Sequence, residues 1–219
     1  MSSSSTIGRR EVAGSAEARK RTRPWLVVTF GLLWAVALVL GHRVLLAYDY
    51  TAGADAVAHT GWPQGSNVPR ANGLPEIVVF AHPKCPCTRA TIEELAVLMA
   101  HVRGRAAADV VFVRPSGMDE DWEKTDLWRS AARIPGVTVL SDPEGVEAER
   151  FGAQASGQTF VYGAAGNLEF SGGITAFRGH AGDNAGETAV VSLVMTGSSE
   201  TRRTSVYGCS LKNPERAQR

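Results

Sequence analysis

Two cysteines flanking a proline, Cys85-Pro86-Cys87, stand between an apolar run and an amphipathic one, and Cys209 lies far downstream. Cysteine pairs do two kinds of chemistry: thiolates exchange with disulfides, and thiolates bind soft metals such as Cu(I) or Zn. Three cysteines in all do not make a disulfide scaffold. The odd number leaves at least one sulfur free, in a mixed disulfide or on a metal. Three chemistries are open. Cys85 and Cys87 form a strained, easily reduced dithiol/disulfide couple, since side chains at i and i+2 of a helix do not face each other. Alternatively Cys85 attacks and Cys209 resolves, if the tail folds back. In the third, Cys85 and Cys87, with His82 or His180, hold a metal. Two buried, inert thiols suit a strand-to-helix turn least well.

The elements around the pair position it. Ile77 to Ala81 reads as a buried strand, and Ile92, Leu95, Leu98, Met99 and Val102 recur at the helical period, with Gly104 placed to end the helix. Cys85 then falls at the N-cap and Pro86 at the first helical position, where a missing N–H costs nothing. A thiol there faces unpaired N–H groups and the positive end of the helix, with Lys84 adjacent. Cys85 is therefore expected to be acidic, as a nucleophile or a metal ligand. Thr88 could donate a hydrogen bond to its thiolate, and His82 is a candidate for proton transfer.

Beyond this unit the signals continue to alternate. Val110–Val113 is a strand; Asp121–Ile134, with Trp122 and Trp128, a helix; Val137–Leu140 a strand; Val146–Phe151 a short helix. Thr159–Tyr162 and Leu168–Ser171 flank a hairpin turn at 163–167, and Asp183 or Asn184 caps a last helix, Ala185–Met195. That order predicts an α/β domain over 76–211 whose sheet mixes parallel and antiparallel pairs.

Ahead of the domain, residues 1–24 read as a disordered basic tail and 25–48 as a membrane-spanning helix. Residues 49–75, rich in Gly, Ala and Pro, read as a linker, and 212–219 as a polar tail. A cleaved signal peptide is the other reading of the apolar run, since Ala52-Gly53-Ala54 is a small-residue site. The long polar tail before the run, and the distance of that site from it, favour an uncleaved anchor. Arg9, Arg10, Arg19, Lys20, Arg21 and Arg23 precede the span and Arg43 follows it. The N-terminus is thus expected inside the cytoplasmic membrane and the domain outside, in the periplasm or its equivalent, where disulfides persist. A formal charge of +1 with 21% charged residues gives no footprint for nucleic acid.

In its order of elements the chain resembles the thioredoxin fold, and with its N-terminal anchor the membrane-tethered redoxin branch of TlpA type. It is most similar to the RedB-type subgroup, through His-Pro-Lys-Cys-Pro-Cys-Thr-Arg-Ala at 82–90, Phe-Ser-Gly-Gly-Ile-Thr at 170–175, Arg-Gly-His-Ala-Gly-Asp-Asn at 178–184 and Gly-Cys at 208–209. The resemblance implies a mixed central sheet flanked by helices and a thiol–disulfide oxidoreductase acting on protein thiols and disulfides without a cofactor. It also implies that the loop holding Arg178, His180 and Asp183 lies beside the active cysteine. Two departures matter. The family carries Cys-X-X-Cys, whereas here Thr88 stands at the resolving position. The family also places a cis-proline beside the active cysteine, where this chain has Ser156-Gly157-Gln158-Thr159. Two rivals therefore stay open: a copper carrier for a respiratory enzyme, with Cys85, Cys87, His82 and His180 as ligands, and a non-catalytic redox-sensing module.

Overall fold

The computed structural model describes residues 23–71 and 73–211, so the basic tail, but for its last two residues, and the tail at 212–219 lie outside the described residues. Helix α1, Pro24–Asp49, is 26 residues long and exposed along nearly all its length. Length and composition alone make it able to cross a membrane. The chain divides into two compact units between Arg43 and Val44, inside this helix.

The second unit is built on a five-stranded sheet of β1 (Glu76–Ala81), β2 (Ala107–Arg114), β3 (Val137–Pro143), β4 (Gln158–Tyr162) and β5 (Leu168–Gly172). Their order across the sheet is β3-β2-β1-β4-β5. β1 pairs in parallel with β2, and β2 with β3; β4 runs antiparallel to both β1 and β5. This is a thioredoxin-like sheet with one extra parallel strand at its β3 edge, and the expected mixture of pairings is present. Central β1 is buried throughout, as a strand covered on both faces must be.

Alternation along the strands divides the core in two. Ile77, Val79, Ala108, Val110, Phe112 and Val161 face α2 (Pro86–Val102), α3 (Asp126–Ala131) and α5 (Ala185–Thr196). Val78, Phe80, Val111, Phe160 and Tyr162 face α4 (Val146–Phe151). Asn184 is the residue that caps α5, its side chain accepting from the Glu187 N–H at 2.8 Å.

Two segments differ from expectation. The helix expected over 121–134 is confined to Asp126–Ala131. Glu123 is instead buried, accepting from Ser141 Oγ and lying 3.7 Å from Arg114 Nη1, and these partners hold residues 119–125 in turns. The segment at 49–75 does not hang free. Trp62 packs edge-on against Phe151 and Tyr162, Val68 is buried, and Val57 N–H donates to the Gly152 carbonyl. After α5 the chain also returns as a strap. Ser171 N–H donates to the Arg202 carbonyl, Ser210 bridges to Ala155, and Val206 and Leu211 are buried.

Candidate active site

Cys85 occupies the N-cap of α2 in extended conformation (φ −86°, ψ 121°), with Pro86 in the first turn. The preceding strand β1 delivers the chain to this point, and α2 is held against the sheet by Leu95, Leu98 and Val102. The Cys85 side chain caps no N–H, so its sulfur is free to meet other partners. The strap supplies one: Cys209 Sγ lies 3.0 Å from Cys85 Sγ, across 124 residues of sequence, and all three thiols are free.

The three sulfurs are polarised differently. Burial pushes the Cys85 thiol up. The Cys209 side chain and backbone, and the polarity of the nearby Cys87 and Thr88 backbone N–H groups, outweigh it, so Cys85 lies below the ordinary thiol range. Cys87 is pushed up by burial and by the Cys85 charge and hydrogen bond, with Arg178 opposing. Cys209 is pushed up to about 12, first by burial and then by its hydrogen bond to Cys85 and the charges of the other two sulfurs. Cys85 is thus the sulfur of the three that gives up its proton most readily.

The other residues expected here are distributed as follows. Thr88 does not turn its hydroxyl to the sulfur: it donates to the His82 carbonyl at 3.1 Å and lies 2.7 Å from Ser156 Oγ. Ser156 Oγ also accepts from the His82 N–H at 2.8 Å, tying the loop before β4 to the loop before α2. Ser156 has no signature in the sequence beyond standing in the loop where the resembling proteins carry proline. No peptide bond among the described residues is cis. Gly157 has φ +90° and donates its N–H to the Phe80 carbonyl at 2.8 Å; a Cβ there would approach Thr91 Oγ1 to 2.9 Å. Gln158 is buried and donates to Thr159 O and Ser171 Oγ, facing β5 and the strap.

The three basic candidates find other partners. Lys84 is exposed, its ammonium 4.4 Å from the centre of the Trp122 ring. His82 packs edge-on against the same ring and accepts the Lys84 N–H on Nδ1. Burial first, then the Lys84 charge, holds its imidazole below the usual range, which favours the neutral form. His180 is exposed and stacked on Phe177 at 4.1 Å. The ligand set Cys85, Cys87, His82 and His180 is not assembled: among the described residues no group of three or more His, Cys, Asp or Glu is placed to hold a metal ion.

Arg178 is the cation that does reach the sulfurs, drawing both Cys87 and Cys209 downward. Its Nε donates to the Thr51 carbonyl at 3.0 Å, its N–H donates to the Asp49 carbonyl, and its guanidinium lies 5.1 Å from the Tyr48 ring centre. Buried Glu94 of α2 fixes the rest of that loop, accepting from Gly182 N–H and Asn184 Nδ2.

No family model matches the chain, and no curated protein does. Among solved structures it is similar to a hypothetical protein from Sinorhizobium meliloti 1021, at 21% identity over 74% of this chain and 94% of that one, TM-score 0.55. It is also similar to an uncharacterized conserved protein from Geobacillus kaustophilus, at 15% identity over 75% and 94%, TM-score 0.53. A looser likeness is to a secreted Mycobacterium tuberculosis disulfide oxidoreductase homologous to E. coli DsbE, at 17% identity over 57% and 82%, TM-score 0.40. At these identities the first two likenesses show the fold alone.

Proposed function

We propose that this chain is a thiol–disulfide oxidoreductase, tethered by α1 to the cytoplasmic membrane with its N-terminus inside and its domain on the outer face. Its substrates are protein disulfides and thiols. One observation carries the reading: Cys85 stands at a helix N-terminus with a second thiol, Cys209, 3.0 Å from its sulfur, and lies below the ordinary thiol range. A sulfur so placed is a nucleophile and a good leaving group in exchange. The Cys85 thiolate attacks one sulfur of a substrate disulfide, giving a mixed disulfide and a substrate thiolate that takes up a proton. A second thiol of the chain then attacks Cys85, releasing the other substrate sulfur as a thiol. The Cys209 thiol lowers Cys85 and is raised by it, and the Cys87 thiol is raised by Cys85.

The excess of basic residues before α1 supports the orientation, and the outer compartment is the one in which such disulfides persist. The test is reduction of an oxidised model protein by the full chain in detergent. Cys85→Ser is expected to abolish it, and retained activity in that variant would contradict the assignment.

A further inference from the structure

We infer that Cys209, carried to the site by the C-terminal strap, is the thiol that resolves the Cys85 mixed disulfide; the inference rests on the exchange reading above. Position i+3 cannot resolve, because it is Thr88, which has no sulfur to form the new bond. Cys87 lies within reach of Cys85, but the i, i+2 spacing strains any disulfide between them. Cys209 meets Cys85 from outside the helix, free of that constraint, with its sulfur at 3.0 Å. A disulfide needs about 1 Å of further approach.

The strap is built to hold this position. Ser156 N–H donates to the Cys209 carbonyl at 2.8 Å, Leu211 N–H to the Gln154 carbonyl at 2.9 Å, and Gly53 N–H to the Val206 carbonyl at 2.7 Å. Val206 and Leu211 anchor it on either side by burial. Cys85 is 1% exposed beneath it, so substrate reaches the nucleophile when the strap lifts, and redocking brings the resolving sulfur back. In the resolving step Cys209 gives up its proton and attacks Cys85 Sγ. The Cys85–substrate bond breaks, the Cys85–Cys209 bond forms, and the departing thiolate takes the proton. Two electrons pass from the cysteine pair to the substrate disulfide. Burial holds the Cys209 proton, but the hydrogen bond and charge of Cys85 that also raise it are lost once Cys85 is in the mixed disulfide, and Arg178 acts in the same downward direction.

The experiment treats the reduced full chain in detergent with oxidised glutathione and maps its disulfides by mass spectrometry over time. The expected course is glutathione on Cys85, then a Cys85–Cys209 bond. In Cys209→Ser the Cys85–glutathione adduct should live about tenfold longer or more, since a thiol held in place is replaced by collisions with others. Gly208→Ala, which keeps every sulfur, should prolong it in the same direction. A Cys85–Cys87 bond in the unaltered chain overturns the inference, as does equal decay of the adduct with and without Cys209. Either result leaves the exchange reading standing. A Cys85 that never takes glutathione overturns both.

Discussion

Gly208 lies flat against Ser156: a Cβ at position 208 would stand 1.8 Å from the Ser156 carbonyl oxygen. No side chain fits there without moving backbone, and the residue that follows carries a sulfur of the site. The same Ser156 receives the His82 N–H and meets Thr88. One loop therefore sets both the start of α2 and the docking of the strap.

Gly208→Ala is expected to push the strap off this loop. The cost should be about 1–3 kcal/mol of stability, as for other overpacked sites, read by urea denaturation. Native-state alkylation of Cys85 should become faster, because the cover over a 1% exposed sulfur has been loosened. Unchanged stability and unchanged alkylation would show that the strap does not rest on this contact.

Asp109 and Glu76 form a buried carboxyl pair where β1 and β2 begin, with Glu76 also accepting from the Ala71 N–H. Burial first, then the Glu76 charge, pushes Asp109 up to about 8. The folded protein therefore holds a proton that the unfolded chain loses near pH 4. Since the unfolded state binds fewer protons in this window, stability falls as pH rises from about 4 to about 8. Asp109→Asn should remove at least about 1 kcal/mol of that fall, measured as unfolding free energy against pH. An unaltered slope would place the proton elsewhere.

Trp62 joins the segment after α1 to the domain through rings 5.3 Å and 5.0 Å away on Phe151 and Tyr162. With each aromatic pair contributing about 0.5–1.5 kcal/mol beyond area burial, Trp62→Ala should cost about 2 kcal/mol. It should also raise protease sensitivity within 51–75. Unchanged stability would mean that this segment behaves as a free spacer.

Local signals were legible in the sequence and long-range partners were not. Val146–Phe151 is helical over the span its residues suggest, and Asn184 caps α5. Both depend on neighbours a few residues away. The helix over 121–134 fails in its first half because Glu123 answers to Arg114 and Ser141, which no periodicity reveals. Composition marks 49–75 as a linker, yet Trp62 and Val68 pack it onto the domain. The place of Cys85 at a helix start follows from the pattern of residues. Lys84 is drawn instead to Trp122, and the second sulfur comes from a strap whose burial rests chiefly on Val206 and Leu211.

The account stands most directly on the proton of Cys85. Alkylation of the native full chain at single cysteines, followed from pH 5 to 10 by mass spectrometry, reads it. The account predicts a half-point for Cys85 below the usual thiol value of about 8.5, with Cys87 and Cys209 reacting only at higher pH. A half-point for Cys85 at or above that value, or reaction only after denaturation, would contradict it.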